Sequence, residues 1–432
     1  MLRKRVLDTL VLCERAMQYV NLALSGRGFD ELSAGERAQM TALLYTTVEN
    51  KIRYDYYISA LSGRSSKDLD LYTLCLLRLG LCQILDMKNI PDFAAVNETV
   101  ALARNRGERA FTNAILRRAA REKEGLPFPE RERSPKRYLS VKYSIPQATV
   151  ARFISIFGEE ESEKIFKAFS ESSELSVSVN TRVISREDFI LKHKDKSAEA
   201  GSFSPFSVKF GASYPPKSLK GFDEGEFFVQ NEASAIAVSA IGLRESDTVV
   251  DVCSAPGGKS FLAAIAAGEG AVYSYDLHES KISLIKDGAK RLGLSGIRAE
   301  SRDAKAPNES LFGKADAVIC DVPCSGLGVL GKKPDLRYKD ISVSEELVPL
   351  QREILSQSVK YLKAGGVIVY STCTLIPEEN EGVTDDFIKN NPDFEYEPFA
   401  VGGLNAPSGK LTLLPHIHKT DGFYIAKIRK KQ

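Results

Sequence analysis

Two cysteines follow apolar runs at positions where a thiol would be accessible to a ligand. Cys324 lies in "DVPCSGLGVL", just after the apolar run "ADAVIC", and Cys373 lies in "YSTCTL", just after "GGVIVY". Such runs predict buried strands, so each thiol is expected on a loop at a strand end. A thiolate is a strong nucleophile, and two thiols on one loop rim favour covalent catalysis over simple packing.

A cytosine ring is a substrate that such a thiol suits. Its C5 atom is a poor nucleophile until a thiolate adds to C6, after which C5 can attack a methyl donor. This reaction needs a cysteine beside the donor, an acidic group near ring N3 and a base for the C5 proton. Asp321 closes the strand that precedes Cys324 and is expected on the same rim.

The segment "VVDVCSAPGGKS" predicts a buried strand, a tight loop and the start of a helix. Gly257 and Gly258 let backbone N–H groups approach a ligand closely. A P-loop would require a glycine where Cys253 stands, and the dinucleotide pattern GxGxxG is absent. These exclusions leave a nucleoside-type cofactor, held through its ribose and its base.

Acidic residues close several successive predicted strands. Asp276 is placed to bind ribose hydroxyls, and Asp303 is placed to accept from an adenine amino group. A single aspartate at a strand end is more often a helix cap, so the series carries the argument. Acids without a phosphate-binding pattern favour S-adenosyl-L-methionine (SAM), whose sulfonium is cationic. The predicted cofactor-binding residues are Cys253, Ser254, Ala255, Pro256, Gly257, Gly258, Lys259, Asp276, Asp303 and Asp321.

The elements that must position these residues follow from hydrophobic periodicity. From residue 227 strands alternate with helices, which predicts an α/β Rossmann-like domain: a mostly parallel sheet covered by helices on both faces. Ligands bind such sheets at the carboxyl ends of the strands. The tail "GFYIAKIRK" is predicted to add an antiparallel edge strand. Ahead of this domain, residues 1 to about 120 have helical periodicity, and "LSVSVNTR" alternates like a strand.

Composition restricts the class of protein. The chain has 432 residues, of which 43% are hydrophobic, and a net charge of +2. Neither a signal peptide nor a membrane span is apparent. Seven cysteines without a CxxC pair, and four scattered histidines, predict neither a disulfide framework nor a metal site. We therefore expect a reduced, cytoplasmic protein that uses no metal and no membrane.

The motifs "VVDVCSAPGGKS", "DVPCSGLGVL" and "YSTCTLIPEENEGV" resemble those of RNA cytosine-C5 methyltransferases of the NOL1/NOP2/Sun family. "FVQNEASAIAV" resembles the segment ahead of that family's cofactor loop, and "KKPDLRYK" (332–339) its substrate-side loop. The resemblance spans roughly 138 to 430 and implies SAM as cofactor. It also implies that Cys373 is the nucleophile and that Cys324 assists product release.

DNA enzymes of related chemistry attack with the Pro-Cys thiol, so spacing alone does not assign these roles. Asp321 could contact SAM or the cytosine ring, and Thr374 stands where the family more often has Ser.

Residues 1–125 resemble a NusB-like all-helical RNA-binding domain, notably in "AVNETV" and "FTNAILR". Together the resemblances imply 16S ribosomal RNA as partner, with the cytosine at position 967 as the group's usual target. Residues 101–137 carry eleven Lys and Arg against five Glu, a balance that suits phosphate binding. The predicted phosphate-binding residues are Arg104, Arg106, Arg109, Arg117, Arg118 and Arg121.

The predicted domain order has four parts. A NusB-like domain (1–125) precedes a Pro-rich linker (126–137). A helical segment with a small α+β RNA-recognition-like subdomain follows (138–226), and the SAM-dependent methyltransferase domain completes the chain (227–432). We expect a monomer. The alternatives are a transfer RNA cytosine-C5 methyltransferase, a non-catalytic RNA-binding or antitermination factor, and a P-loop NTPase, which the missing first glycine disfavours.

Overall fold

The computed structural model describes residues 2–16, 19–24, 29, 31–171 and 174–432, and the chain forms two compact units. The first unit contains Met1–Ser170 together with the short segment Lys333–Lys339. The second contains Glu171–Lys332 and Asp340–Gln432. The predicted four-part division of the chain stays a prediction, since compactness separates packing units and not functions.

The first unit is helical, as its periodicity predicts. Its helices are α1 (Leu2–Ala16), α2 (Val20–Leu24), α3 (Ala34–Glu49), α4 (Lys51–Ser62), α5 (Leu71–Leu85), α6 (Asp92–Val100), α7 (Arg106–Glu122), α8 (Pro135–Tyr143), α9 (Gln147–Phe157) and α10 (Glu159–Ser170). Helix α5 packs against α1, α3, α4, α6 and α7, which explains why it is apolar on nearly every side. Its buried Arg78 is neutralised by Asp55 at 2.7 Å and Glu14 at 3.2 Å.

The segment Lys333–Lys339 is anchored in the first unit by two side chains. Arg337 is 1% exposed and donates to Glu49 Oε1 at 2.9 Å and to the carbonyl oxygens of Tyr143 and Phe169. The Tyr338 hydroxyl donates to the carbonyl oxygen of Val48 at 2.7 Å. This stretch was predicted to be a substrate-side loop. The contacts of Arg337 and Tyr338 given above lie within the first unit, with residues of α3, α8 and α10.

The second unit begins with a small antiparallel sheet. Its strands are β1 (Ser176–Val179), β2 (Ala198–Ala200), β3 (Ser207–Phe210) and β4 (Phe227–Val229), with α11 (Arg186–Lys192) between β1 and β2. The strands are arranged in the order β2-β3-β1-β4. The alternation in "LSVSVNTR" is confirmed as β1, and Phe189 of α11 packs with the sheet in one buried cluster.

The large sheet follows, with helices between its strands. Its elements are α12 (Glu232–Ile241), β5 (Val249–Asp251), α13 (Gly258–Ala266), β6 (Val272–Asp276), α14 (Glu279–Arg291), β7 (Ile297–Ser301), β8 (Ala315–Asp321), α15 (Val343–Ser358), β9 (Leu362–Thr372), α16 (Glu381–Asn390), β10 (Phe394–Tyr396), β13 (Lys410–Leu413), α17 (Pro415–His418) and β14 (Phe423–Lys430); β11 (Phe399–Val401) and β12 (Leu404–Ala406) form a separate hairpin.

The strand order is β10-β14-β9-β8-β5-β6-β7, with β5 to β9 parallel. The chain runs outward from β5 through β6 to β7, and then returns to the other side of β5 as β8. The direction reverses between β5 and β8, which creates the crevice where ligands bind in such sheets. The predicted Rossmann-like fold is confirmed.

The C-terminal strand β14 is antiparallel, as predicted, but the predicted edge position is wrong. Strand β14 pairs with β9 on one side. Both β10 and β13 pair with its other side. Its burial explains the difference: "FYIAKI" is buried at every position, as suits a strand with neighbours on both sides.

Alternate residues of the parallel strands face opposite layers of helices. Val249 and Ile319 belong to a core formed with α12, α13 and α14, whereas Val250 and Val318 belong to a core formed with α15 and α16. This two-sided burial is why the strands read as continuous apolar runs. Among the described residues, no helix is both long and apolar enough to span a bilayer.

Candidate active site

The two loop cysteines lie side by side. Strands β8 and β9 are parallel neighbours in which Asp321 pairs with Ser371, so Cys324 and Cys373 leave the sheet at the same edge. Their Sγ atoms are 3.2 Å apart, and both thiols are reduced and half-buried. The structure therefore places the two thiols close enough to act on the same ligand, at the edge of the sheet where ligands bind.

Direct contacts join the two cysteine loops. The hydroxyls of Ser325 and Thr374, each just after a cysteine, are 2.8 Å apart. Gly328 N donates to the carbonyl oxygen of Cys373 at 2.9 Å. A Cβ at Gly328 would lie 2.0 Å from the carbonyl oxygen of Gly422, so only glycine permits this approach. The hydroxyl kept by Thr374 thus has a structural partner.

The thiol pair is electrostatically asymmetric. The hydrogen bond with Cys373 is the largest cause that raises the pKa of Cys324 far above its ordinary value; burial and the charges of Cys373, Glu379 and Asp321 add to it. At neutral pH, Cys324 is therefore held as a protonated thiol.

An ion pair lies at the crevice beside these thiols. Lys259 Nζ is 2.6 Å from Asp321 Oδ2, and Ser371 Oγ donates to Asp321 Oδ1 at 2.6 Å. Burial lowers the pKa of Lys259, but the charges of Asp321, Asp251 and a Cys373 thiolate outweigh it and leave that pKa raised. By reciprocity, the Lys259 ammonium favours the thiolate form of Cys373.

Asp251, at the end of β5, is fully buried and accepts from Ser260 Oγ at 2.7 Å. Burial raises its pKa to about 7, against the opposing effects of Ser260 and Lys259. Its Oδ1 atom has no hydrogen-bond partner among the described residues. The sequence placed Asp251 at a strand end but did not assign it a role.

The predicted cofactor loop folds tightly over β6. Ser254 donates from both N and Oγ to the carbonyl oxygen of Tyr275, at 2.8 and 2.9 Å. Gly257 has φ of +111°, a value that favours glycine, and a Cβ there would lie 2.4 Å from the Phe261 ring. Ala255 N lies 3.3 Å from Asp276 Oδ2, which ties the loop to the end of β6.

Two predicted cofactor residues stand apart from the thiols. Burial is the largest cause that raises the pKa of Cys253 far above its ordinary value, so this thiol behaves as a small apolar side chain. Asp303, beyond edge strand β7, is half-buried and accepts from Lys305 N at 2.9 Å. Neither residue has a described contact with the thiol pair.

The donor set of this crevice fits SAM. Asp276 is 8% exposed, and its carboxylate at the end of β6 can accept from ribose hydroxyls. Asp303 offers a second carboxylate at the end of β7, and the α13 N-terminus beyond Gly257 offers backbone N–H groups. Asp321 provides negative charge at the end of β8, which suits a sulfonium and repels a phosphate.

The predicted phosphate-binding arginines differ in their surroundings. Arg104 is paired with Asp70 and Glu108, both at 2.7 Å. Arg118 and Arg121 both contact Glu122 at 2.9 Å, and Arg117 donates to Asn113. Arg106 and Arg109 are exposed on α7 and form no ion pair with any described residue. These two are the side chains best placed to bind a polyanion.

No metal centre accompanies the crevice in the described part of the chain. No cluster of three or more His, Cys, Asp or Glu side chains there could hold a metal ion. His193, one of the four histidines considered, is 1% exposed and hydrogen-bonds through Nε2 to the carbonyl oxygen of Lys220.

The strand order, with an antiparallel strand inserted beside β9, is that of Rossmann-like methyltransferases, and the chain is of this class. A family model described as 16S rRNA methyltransferase RsmB/F matches residues 238–429, and a NusB family model matches residues 2–121. The chain belongs to the RsmB/F family of 16S rRNA methyltransferases and carries a NusB domain at its N-terminal end.

Similar proteins agree with this assignment over nearly the full chain. The probable ribosomal RNA small subunit methyltransferase B of Bacillus subtilis is 35% identical, with 99% of this chain and 98% of that protein covered. A protein of the same description from Synechocystis is 32% identical, with 92% of each chain covered. The crystal structure of PH0851 is 25% identical and superposes with a TM-score of 0.80, covering 99% of this chain and 98% of that one.

Proposed function

We propose that the protein methylates C5 of a cytosine in 16S ribosomal RNA, with SAM as methyl donor and a covalent Cys–C6 adduct as intermediate. The observation that carries the proposal is the 3.2 Å separation of the Cys324 and Cys373 sulfur atoms at the ligand-binding edge of the sheet. Methylation of an exocyclic amine or a ribose hydroxyl does not need two adjacent thiols. Bound SAM would supply an electrophilic methyl group at this edge.

Cys373 is proposed as the nucleophile. Lys259 favours its thiolate, whereas Cys324 is held as a thiol by Cys373, burial and the Glu379 charge. The more ionised sulfur attacks C6 of the ring, because the thiolate is the nucleophilic form. This agrees with the role that the family resemblance implies for the Thr-Cys cysteine.

Cys324 is proposed to act after attack has occurred. Once Cys373 becomes a neutral thioether, its hydrogen bond and its charge, two of the causes that raise the pKa of Cys324, are lost. Cys324 can then release its proton to water and accept the C5 proton as a thiolate. The electrons of the C5–H bond re-form the C5–C6 double bond, and Cys373 leaves as a thiolate.

Lys259 and Asp321 are proposed to stabilise the ring during attack. Addition at C6 places negative charge on ring N3 and O2, and a preorganised ammonium stabilises such charge. Ser371 and Lys259 fix the orientation of the Asp321 carboxylate. In this arrangement Asp321 contacts the cytosine ring, and the cofactor is held by the loop 253–258, Asp276 and Asp303.

The RNA is proposed to bind partly through the NusB domain. Arg106 and Arg109 offer exposed cations, and phosphate contacts give affinity more than sequence choice. The target cytosine must leave its stack to reach a thiol on a loop rim, which favours an exposed nucleotide such as position 967. A monomer in the reducing cytoplasm would suffice, since both thiols belong to one chain.

The reaction class is tested by incubating the full chain with methyl-labelled SAM and either 16S RNA or transfer RNA transcripts. The RNA is digested to nucleosides and separated by chromatography. Label in 5-methylcytidine from 16S RNA is the expected result, and label only in transfer RNA would change the substrate. Label in another nucleoside, or in no RNA, would contradict the proposal and favour a non-catalytic RNA-binding factor.

A further inference from the structure

Glu379 and Asn380 are adjacent buried residues to which the steps above give no positioning role. They follow Cys373 in "TLIPEENEG" and are 0% and 2% exposed. Glu379 ends a short 3-10 turn, Pro377–Glu379, and Tyr370 of β9 donates to its carbonyl oxygen at 2.6 Å. The backbone at this point is thus tied to the strand that carries Cys373.

Glu379 holds the residues on both sides of Cys324, one by a direct hydrogen bond and one through Gln351. Its Oε2 accepts from Ser325 N at 2.9 Å and from Gln351 Nε2 at 2.9 Å. Gln351 Nε2 also donates to the carbonyl oxygen of Pro323 at 2.9 Å. Cys324 lies between Pro323 and Ser325, so its backbone is fixed on both sides by Glu379 and its partner Gln351.

Asn380 forms direct hydrogen bonds with the residues on both sides of Cys373. Its Oδ1 accepts from Thr372 Oγ1 at 2.5 Å, and its Nδ2 donates to the carbonyl oxygen of Thr374 at 3.1 Å. Two consecutive side chains therefore hold the two cysteine loops: Glu379 holds the neighbours of Cys324, and Asn380 holds the neighbours of Cys373. One planar peptide bond joins Glu379 to Asn380 and fixes the separation of their Cα atoms.

Glu379 has few partners for so buried a group. It forms no ion pair with any described cation, and its Oε1 has no hydrogen-bond partner in the described part of the chain. The side-chain contacts described for it are those of Oε2 with Ser325 N and Gln351 Nε2, which hold the Cys324 loop.

We propose that Glu379 and Asn380 are positioning residues that set the distance between the two thiols. This role concerns geometry alone and holds whatever reaction the thiols perform.

The distance between the thiols is measured by oxidation with diamide, without RNA or SAM. Diamide takes two protons and two electrons from the two thiols, so that its N=N bond becomes a hydrazine N–N bond and the thiols form one disulfide. The Cys324–Cys373 disulfide is quantified over time by mass spectrometry of a non-reduced digest. Wild type is expected to cross-link fast, and Glu379→Ala and Asn380→Ala about a hundredfold more slowly, since a displacement of about 1 Å has effects of this size.

Glu378→Ala is the matched control, because Glu378 is the exposed neighbour of Glu379. It is expected to cross-link at the wild-type rate. Glu379→Gln keeps an oxygen acceptor for Ser325 N, so it is expected to cross-link as fast as wild type. Thermal melting shows which variants are folded, and Gln351→Met takes the place of any alanine variant that is not.

Equal cross-linking rates for wild type, Glu378→Ala, Glu379→Ala and Gln351→Met would overturn the positioning role. Loss of methyl transfer in wild type would instead contradict the proposed function and leave the cross-linking result intact. If both hold, Glu379→Ala is expected to lower kcat for methyl transfer while the Kd for SAM stays unchanged.

Discussion

Lys259 Nζ lies 2.6 Å from Asp321 Oδ2, joining the cofactor loop after β5 to the end of β8 across the crevice where the sheet reverses direction. The sequence assigned both residues to cofactor binding, and their direct pairing was not foreseen. The pair gives this edge of the sheet a cation beside the thiols and fixes the carboxylate that faces them.

Replacing Lys259 by Met is predicted to lower kcat for methyl transfer by about a hundredfold to a thousandfold, the usual effect of losing a preorganised stabilising group. The physical reason is the lost stabilisation of the Cys373 thiolate and of charge on the ring. Single-turnover kinetics with labelled SAM measure the effect. Lys290→Met, on the exposed side of α14, is the control and should retain full activity.

Asp276→Ala is predicted to weaken SAM binding by about 2 kcal/mol, or roughly thirtyfold in Kd, because hydrogen bonds to a charged group are lost. Isothermal calorimetry on the full chain measures the change. Asp287→Ala, exposed on α14, is the control. An unchanged Kd for Asp276→Ala would show that the end of β6 does not hold the ribose.

Asp251→Asn is predicted to change how stability depends on pH. Burial raises the pKa of Asp251 to about 7 in the folded chain, whereas the unfolded chain has an ordinary aspartate. Between about pH 4 and pH 7 the folded state therefore binds more protons, so this residue makes stability fall as pH rises, by about 1.4 kcal/mol per pKa unit. Urea unfolding across this range should show a smaller fall for Asp251→Asn, and parallel curves for both proteins would contradict the assignment.

Removing both exposed cations in the double variant Arg106→Ala, Arg109→Ala is predicted to weaken RNA binding without affecting SAM binding. Each lost phosphate contact should reduce the slope of log K against log salt by about one. Filter binding at several salt concentrations gives this slope. The double variant Arg118→Ala, Arg121→Ala should change the slope less, because both arginines are already paired with Glu122.

The sequence predicted the sheet well because each strand of the parallel core is buried on both faces and reads as a continuous apolar run. It placed Cys324 and Cys373 on one rim, since parallel strands end at the same edge. It missed the interior position of β14, because its neighbour β10 is only three residues long and gives little periodic signal.

The candidate site was predicted by residue type but not by contact. Lys259 follows two glycines and looked like part of a ligand loop, and only the fold shows that it reaches Asp321. Glu379 stands six residues after Cys373 in a run of acids that reads as solvated surface. Its partners Ser325 and Gln351 are distant in sequence, so its buried position could not be deduced from spacing.

The measurement that tests the central claim most directly uses Cys373→Ala and Cys324→Ala proteins with 16S RNA and labelled SAM. Each mixture is separated on a denaturing gel to detect a protein–RNA adduct. We predict that Cys324→Ala accumulates an adduct containing the methyl label, because release is blocked, and that Cys373→Ala forms none and transfers no methyl group. An adduct in Cys373→Ala, with none in Cys324→Ala, would contradict the proposed order of the two thiols.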